Sequence, residues 1–415
     1  MILRDTICVR SGRSFATVAF CLMLLFASCG GVVHAAPPAW QEISKLPWQT
    51  GLPDPFILNN GKTVKTEADW KQRRAELIHL FLQDEYGTMP PMPRQVTAKI
   101  LNLKGHAGSG SVQKIHLAMG KHQAVTLNLD VHTPAMAGRH PVIIYLGRLY
   151  IHGWLKKYVQ IPVTQILSRG YMLVGVNNAN IVDDMRHQSA IFKLYPGYTW
   201  GTLSAEAWEI HGIVKYLRTR TDVNPKQIIL VGFSRWGKEA LLAGALNAHI
   251  AMVGAVCPGC AGAGCFRFKP GNQETIRSTT RAFPAWYARR FARFANQAQR
   301  LPFDQFELLG LMAPRYLLVT QATDDPWENP EGEQISFVAA RQIFQFAEVP
   351  THIAMYFHPG VHSITLPDWR AILDFSDEHL RGKKPRSVRF DNLFYAHAPK
   401  LFKWKIPVAR KQENS

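Results

Sequence analysis

Acidic residues are scarce in this chain. Thirty aspartates and glutamates face 48 lysines and arginines over 415 residues, for a formal charge of +18. Charged residues are only 19% of the total and apolar ones 47%, which excludes a disordered polyelectrolyte and describes a globular protein. Beyond the first 36 residues no run of 18 consecutive apolar residues exists, so nothing there reads as a membrane-spanning helix. No internal repeat or low-complexity tract is present, which excludes a solenoid. Cysteine is sparse: six in all, three of them (Cys8, Cys21, Cys29) within the first 29 residues. The other three, Cys257, Cys260 and Cys265, allow at most one internal disulfide. Cys257-Pro-Gly-Cys260 has no second ligand pair with it, which argues against a zinc site. A local disulfide, or small buried residues in a tight loop, are the remaining readings.

The N-terminus is what the composition does supply in one place. Arg4, Arg10 and Arg13 precede an apolar stretch from Phe15 to Ala27, and Val33-His-Ala35 fits a small-residue cleavage site. Residues 1–35 thus read as a signal peptide, implying export to the periplasm or beyond. Phe26-Ala-Ser-Cys29 is a loose lipobox, so lipid anchoring at Cys29 is a second expectation. The three arginines and one aspartate of this segment account for +2, leaving +16 for the remainder. A basic surface of that size suits an acidic polysaccharide. No nucleic-acid motif accompanies the scattered basic residues, so nucleic acid is not expected as a partner. The sequence leaves the oligomeric state open.

Hydrophobic patterning divides the rest. Trp70, Leu77, Leu80, Phe81 and Tyr86 recur at helical spacing within 63–87. Val125-Thr-Leu-Asn-Leu-Asp-Val131 alternates as a half-buried strand does, within a stretch (97–133) expected to be antiparallel. From Pro141 the character changes. Unbroken apolar runs at 141–146, 171–176, 228–231, 251–256, 316–320 and 352–357 read as strands covered on both faces, with helical stretches between them, one at 202–219. Alternation of strand and helix predicts an α/β fold, a doubly wound and mostly parallel sheet flanked by helices, over 36–385. Residues 386–415 read as a basic and aromatic tail without clear periodicity, wrapped on the domain and with a disordered end.

The most informative segment is Ile228-Ile-Leu-Val-Gly-Phe-Ser-Arg-Trp-Gly-Lys-Glu-Ala-Leu241. A strand ends at Gly232, a serine follows two residues later, and a helix begins at once. This resembles the nucleophile elbow of α/β-hydrolases, which lifts a serine hydroxyl above the sheet. A serine needs a base to take its proton and a third group to orient that base. Both are found in the expected order, on loops after late strands. Thr323-Asp-Asp-Pro-Trp327 offers Asp325 as the acid, with Asp324 as its alternative. His358-Pro-Gly-Val-His362 offers His362 as the base, ahead of His358 and His352, because it sits in a Pro-Gly loop just past a strand end. The alternative for Ser234 is an ordinary helix cap. No metal or organic cofactor is needed for such chemistry.

The elbow departs from the common form, since Trp236 stands where the second glycine usually falls. With that spacing the chain resembles the glucuronoyl esterases of carbohydrate esterase family 15. Thr66-Glu-Ala-Asp-Trp70, Glu85-Tyr-Gly87, Gly232-Phe-Ser-Arg-Trp-Gly-Lys238, Phe283-Pro-Ala-Trp286, Leu301-Pro-Phe-Asp-Gln305, Ala313-Pro-Arg315, Asp325-Pro-Trp327, Pro330-Glu-Gly-Glu333 and Pro359-Gly-Val-His362 carry the resemblance in order. It implies hydrolysis of (4-O-methyl-)glucuronoyl esters of plant cell-wall glucuronoxylan. By matching positions it implies Ser234 as nucleophile, His362 as base, Arg235 at the oxyanion, and Lys238, Glu274 and Trp327 at the uronate. Arg235 in a surface salt bridge, Lys238 on a solvated helix face and Trp327 in the core are the alternatives.

Three departures stand out. The position of a glutamate that many relatives place near the base falls on Cys260, so the acid must be Asp325. The cysteine pair that fungal relatives place around the serine and histidine is replaced by Phe233 and Ser363. The loop Gly147-Arg-Leu-Tyr-Ile-His-Gly-Trp154 differs from the usual pattern near the oxyanion hole. An acetyl or feruloyl esterase on other glycans, or a catalytically silent glycan-binding homologue, are the competing readings.

Overall fold

A computed structural model describes residues 42–408, apart from 107–109, 178–189, 385–387 and 391–392. The expected signal segment 1–35 and Cys29 lie outside the described residues, as do parts of the tail.

The first helix, α1 (Glu67–Phe81), starts where Thr66 accepts from the Asp69 N–H while the Asp69 carboxylate accepts from the Thr66 N–H. This reciprocal cap satisfies two of the backbone donors a helix start leaves unpaired. A π-helical turn over Leu82–Tyr86 ends it. Three strands follow, β1 (Val96–His106), β2 (Gly110–Met119) and β3 (Val125–Thr133). They pair antiparallel, as the alternating pattern predicts. Then come β4 (His140–Tyr145), α2 (Val163–Ser168), β5 (Met172–Asn177), α3 (Ala190–Leu194), α4 (Thr202–Leu217), β6 (Val223–Phe233) and α5 (Arg235–Leu246). The chain closes with β7 (Met252–Val256), α6 (Ile276–Ala282), α7 (Gln305–Gly310), β8 (Tyr316–Ala322), α8 (Pro330–Phe346), β9 (Ile353–His358) and α9 (Leu366–Arg381).

The described residues form one nine-stranded sheet in the order β1-β2-β3-β5-β4-β6-β7-β8-β9. From β5 to β9 every neighbouring pair is parallel. β3 joins this block antiparallel. The unbroken apolar runs have a physical cause in two cores, one on each face. Val142 and Ile144 of β4, with Ile228 and Leu230 of β6, point into the larger core, which α1, α4, α5, α7 and α8 cover. Ile143, Tyr145, Ile229 and Val231 point into the smaller one, which α2 and α9 cover. The fold is that of the α/β-hydrolases, as the sequence predicts. Because β4, β6, β7, β8 and β9 run parallel, the loops that leave their C-terminal ends gather at one edge of the sheet, where such folds place ligands.

The C-terminal segment lies on the body of the fold. Phe402 is buried in the larger core, Trp404 stacks on Phe306 at 5.3 Å, and the Leu401 carbonyl accepts from the Leu52 N–H at 2.9 Å.

Candidate active site

Ser234 occupies the turn between β6 and α5 with φ 58° and ψ −124°, a backbone conformation that L-residues seldom adopt. Two glycines make the turn possible. A Cβ on Gly232 would lie 2.0 Å from the Trp236 carbonyl oxygen. One on Gly237 would press on Pro258 and the Val256 carbonyl at 3.2 Å. The second glycine therefore stands at 237, where the helix meets β7, and not at 236. Although Ser234 is the residue that starts α5, its side chain caps no backbone N–H. The helix-cap alternative is thereby removed. The Ser234 hydroxyl lies 2.8 Å from His362 Nε2, and His362 Nδ1 lies 2.7 Å from Asp325 Oδ2. An ionised carboxylate only accepts, so Nδ1 carries the proton and Nε2 is left to accept from the serine.

The competing residues are occupied elsewhere. His358 Nε2 is 3.0 Å from Asp368 Oδ1, and that carboxylate also receives the Thr320 hydroxyl and caps α9. His352 Nδ1 faces the Pro314 carbonyl at 2.6 Å. Asp324 accepts from the Gly360 N–H at 3.2 Å and so ties together the two loops that carry Asp325 and His362. The Phe233 ring packs on the His362 ring, centroids 4.7 Å apart, and Ser363 offers its carbonyl to the Cys257 thiol at 3.7 Å. Of the two positions that lack the fungal cysteines, Phe233 thus packs on the histidine and Ser363 holds the Cys257 thiol.

Cys260 was the position matched to the relatives' glutamate, but the residue beside the base is Cys257. Its sulfur and the nearest ligand atoms of Asp325 and His362 all lie within 4.8 Å of one another. The chain turns immediately after β7, with Cys257 at φ 45° and Gly259 at φ 51°, so residue 257 stays at the strand end while residue 260 is carried round. Cys260 instead feels the charges of Glu274 and Lys238. All three cysteines are free thiols, and burial pushes each well above the ordinary thiol range. They are small buried residues in a tight loop; no disulfide joins them. Within this trio His362 and Asp325 are joined by a hydrogen bond, while the Cys257 thiol donates to the Ser363 carbonyl instead.

Arg235 and Lys238 follow the serine on α5, and both are buried. Arg235 pairs with Glu206 of α4, and its guanidinium lies 5.7 Å from the Trp236 ring and 5.2 Å from that of Trp286. It is not a surface salt bridge. Behind it, burial raises the carboxyls of Glu239 and Glu209 well above their ordinary range, with Glu206's charge adding to the effect. Lys238 is likewise no solvated residue: it is 2% exposed, and its Nζ donates to the Pro258 carbonyl at 2.7 Å and to Glu274 at 3.2 Å. Burial works against its charge, but Glu274 and Glu328 outweigh that and hold it protonated. Glu274 reaches this place because its backbone N–H donates to the Trp327 carbonyl at 2.7 Å. Trp327 itself is 49% exposed, so it is no core aromatic. The structure thus brings Ser234, His362, Asp325, Lys238 and Glu274 into one connected set, with Arg235 at the start of the same helix and Trp327 presenting a ring to solvent beside it.

Sequence reasoning missed Glu328. It is buried, with Oε1 3.9 Å from His362 Nδ1 and Oε2 3.6 Å from Lys238 Nζ. Its position one residue beyond Trp327 was the available signal, but an acidic residue in a turn has no distinctive pattern. Burial tends to lower the His362 pKa. The hydrogen bond to Asp325 and the negative charges of Glu328 and Asp325 outweigh it and Lys238, so the pKa is raised above that of a free imidazole.

Comparison with known proteins gives the family. The family model described as glucuronyl esterase of fungi matches residues 117–347. A solved carbohydrate esterase family 15 glucuronoyl esterase from Caldicellulosiruptor kristjansonii is similar with a TM-score of 0.75 and 30% identity, over 88% of this chain and 100% of that one. Carbohydrate esterase MZ0003, from an unknown prokaryotic organism, is 27% identical over 84% of this chain and 94% of its own length. A 4-O-methyl-glucuronoyl methylesterase of Podospora anserina is 32% identical over 66% of this chain, which spans 56% of that relative's length. The chain belongs to the glucuronoyl esterase family, a family of carboxylic ester hydrolases.

Proposed function

We propose that the protein hydrolyses (4-O-methyl-)glucuronoyl esters of plant cell-wall glucuronoxylan through a serine ester. The observation that carries this reading is the chain of hydrogen bonds from Ser234 through His362 to Asp325, with Lys238, four residues further along the chain on α5, paired to Glu274. Ser234 attacks the uronoyl carbonyl while His362 takes its proton. Asp325 holds the ring in the tautomer that leaves Nε2 open and stabilises the imidazolium that forms. Backbone N–H groups at the start of α5, with the nearby Arg235 cation, stabilise the oxyanion. His362 then gives its proton to the departing alcohol and activates water to release the acid. Lys238 and Glu274 hold sugar hydroxyls as donor and acceptor, and the exposed Trp327 face borders the ring. The signal-like first 35 residues support export to the periplasm or medium. Among the described residues no helix is long and apolar enough to cross a membrane.

The test is hydrolysis of benzyl glucuronate by the wild type and by Ser234→Ala. The expected outcome is a fall in kcat of about a thousandfold or more. Equal rates in the two proteins would overturn the reading. Cleavage of aryl acetates without cleavage of alkyl glucuronates would turn it toward acetyl ester substrates.

A further inference from the structure

Glu328 connects two parts of the site that the proposed reaction uses separately. It lies 3.6 Å from the Nζ of Lys238 and 3.9 Å from Nδ1 of His362, and only 4% of it is exposed. Its place depends on a glycine: a Cβ on Gly259 would come within 1.6 Å of Glu328 Oε2. Gly259 also holds a positive φ of 51° and donates its N–H to Glu333 at 2.7 Å, so the loop beneath Glu328 is fixed from the other side.

From this geometry, and on the reading that Ser234 and His362 cleave the ester, we infer that Glu328 is a positioning residue that sets the basicity of His362 by shielding it from the Lys238 cation.

The physical argument starts from Lys238. A buried ammonium kept to hold a sugar also acts on the base, and an uncompensated cation near an imidazole disfavours the imidazolium. That is the species formed as the serine attacks, so the lysine would work against the reaction it serves. The charges around the pair come from several elements. Lys238 lies on α5, Glu274 on the segment before α6, and Asp325 on the same loop as Glu328. His362 lies on the loop after β9, Glu333 on α8 and the protonated Cys257 thiol after β7. Glu274 pairs with Lys238, and Asp325 pairs with His362. Glu328 alone among these carboxylates lies within 4 Å of both. Burial, against the pull of Lys238, pushes the Glu328 carboxyl up to about 7.

The experiment compares wild type, Glu328→Gln and Glu328→Asp in two ways. The first is the pH profile of kcat/KM on benzyl glucuronate. The second is the ring-nitrogen NMR titration of His362 in a Ser234→Ala background, assigned by its loss in His362→Gln. Glu328→Gln keeps the shape and removes the charge. It moves the acid limb and the ring titration down by about half a unit or more, and lowers kcat about tenfold. Glu328→Asp keeps a carboxylate and stays closer to wild type in both. An unmoved acid limb and an unmoved ring titration in Glu328→Gln would overturn the inference. So would equal displacement by Gln and Asp, which would assign the effect to packing. If Ser234→Ala retains activity, the ester-cleaving reading fails, while the NMR titration still reports whether Glu328 acts on His362.

Discussion

At the level of single residues, the site is a set of charges kept in a largely dry place and made tolerable by one another. Lys238 is held by Glu274 and Glu328, Arg235 by Glu206, and His362 by Asp325. A buried charge without its partner is costly, so each pair constrains the side chains that the reaction needs. The pH dependence follows with a definite sign. In the proposed mechanism His362 works only as the neutral imidazole, and the folded protein holds its pKa above 6.5, the ordinary value. Activity should therefore rise with pH through a value above 6.5 and be lost as pH falls below it. A kcat/KM profile on an uncharged ester substrate measures this, and an acid limb below 6.5 would contradict it. Ser234, His362 and Asp325 were legible in the sequence because the chemistry fixes their order and their places after strands. Glu328 and Glu206 were not. Nothing in a sequence separates one glutamate from another until burial makes its partner matter.

At the level of elements, the elbow depends on how closely β6, α5 and β7 approach. Gly232→Ala would drive a methyl into the Trp236 carbonyl, a backbone atom that cannot rotate away. The substitution should cost about 2 kcal/mol or more and lower kcat, because relief of the clash tilts α5 and displaces Ser234. Urea midpoints and steady-state rates on the same preparation check both effects. The spacing of this elbow was visible from the sequence, but its reason was not. The second glycine falls at 237 because that residue, and not 236, meets Pro258 and Val256 of the neighbouring strand end. The same limit explains Cys257 and Cys260. They are three positions apart in a Pro-Gly turn, and the positive φ values that decide which one faces the base are not encoded in residue type alone. The strands themselves were legible, since burial on both faces leaves unbroken apolar runs.

At the level of the whole molecule, the chain's last described segment completes the larger core beside α7. Phe402 is 6% exposed, and its ring stacks on Trp404 at 4.5 Å. Phe402→Ala should destabilise the fold by about 3 kcal/mol while leaving kcat per folded molecule unchanged, because it touches no residue of the site. Thermal unfolding together with active-site titration would show this, and a matching loss of kcat would contradict it. The sequence reading of a tail wrapped on the domain anticipates this role, but not which residues enter the core. The tail reads as aperiodic because the residues that make the contact, among them Ala398, Leu401, Phe402, Trp404 and Ile406, follow no helix or strand spacing.

By itself, the sequence determined the layering of strands and helices, the serine turn, the order of acid and base, and the family to which the chain is similar. Each of these is written in local periodicity or in a motif whose spacing the chemistry demands. Tertiary structure alone decided which cysteine stands beside His362 and Asp325, and which glutamates hold Lys238 and Arg235. Those choices depend on distance and burial between residues far apart in the chain. Only the folded sheet, with its loops gathered at one edge, brings them within a few ångströms.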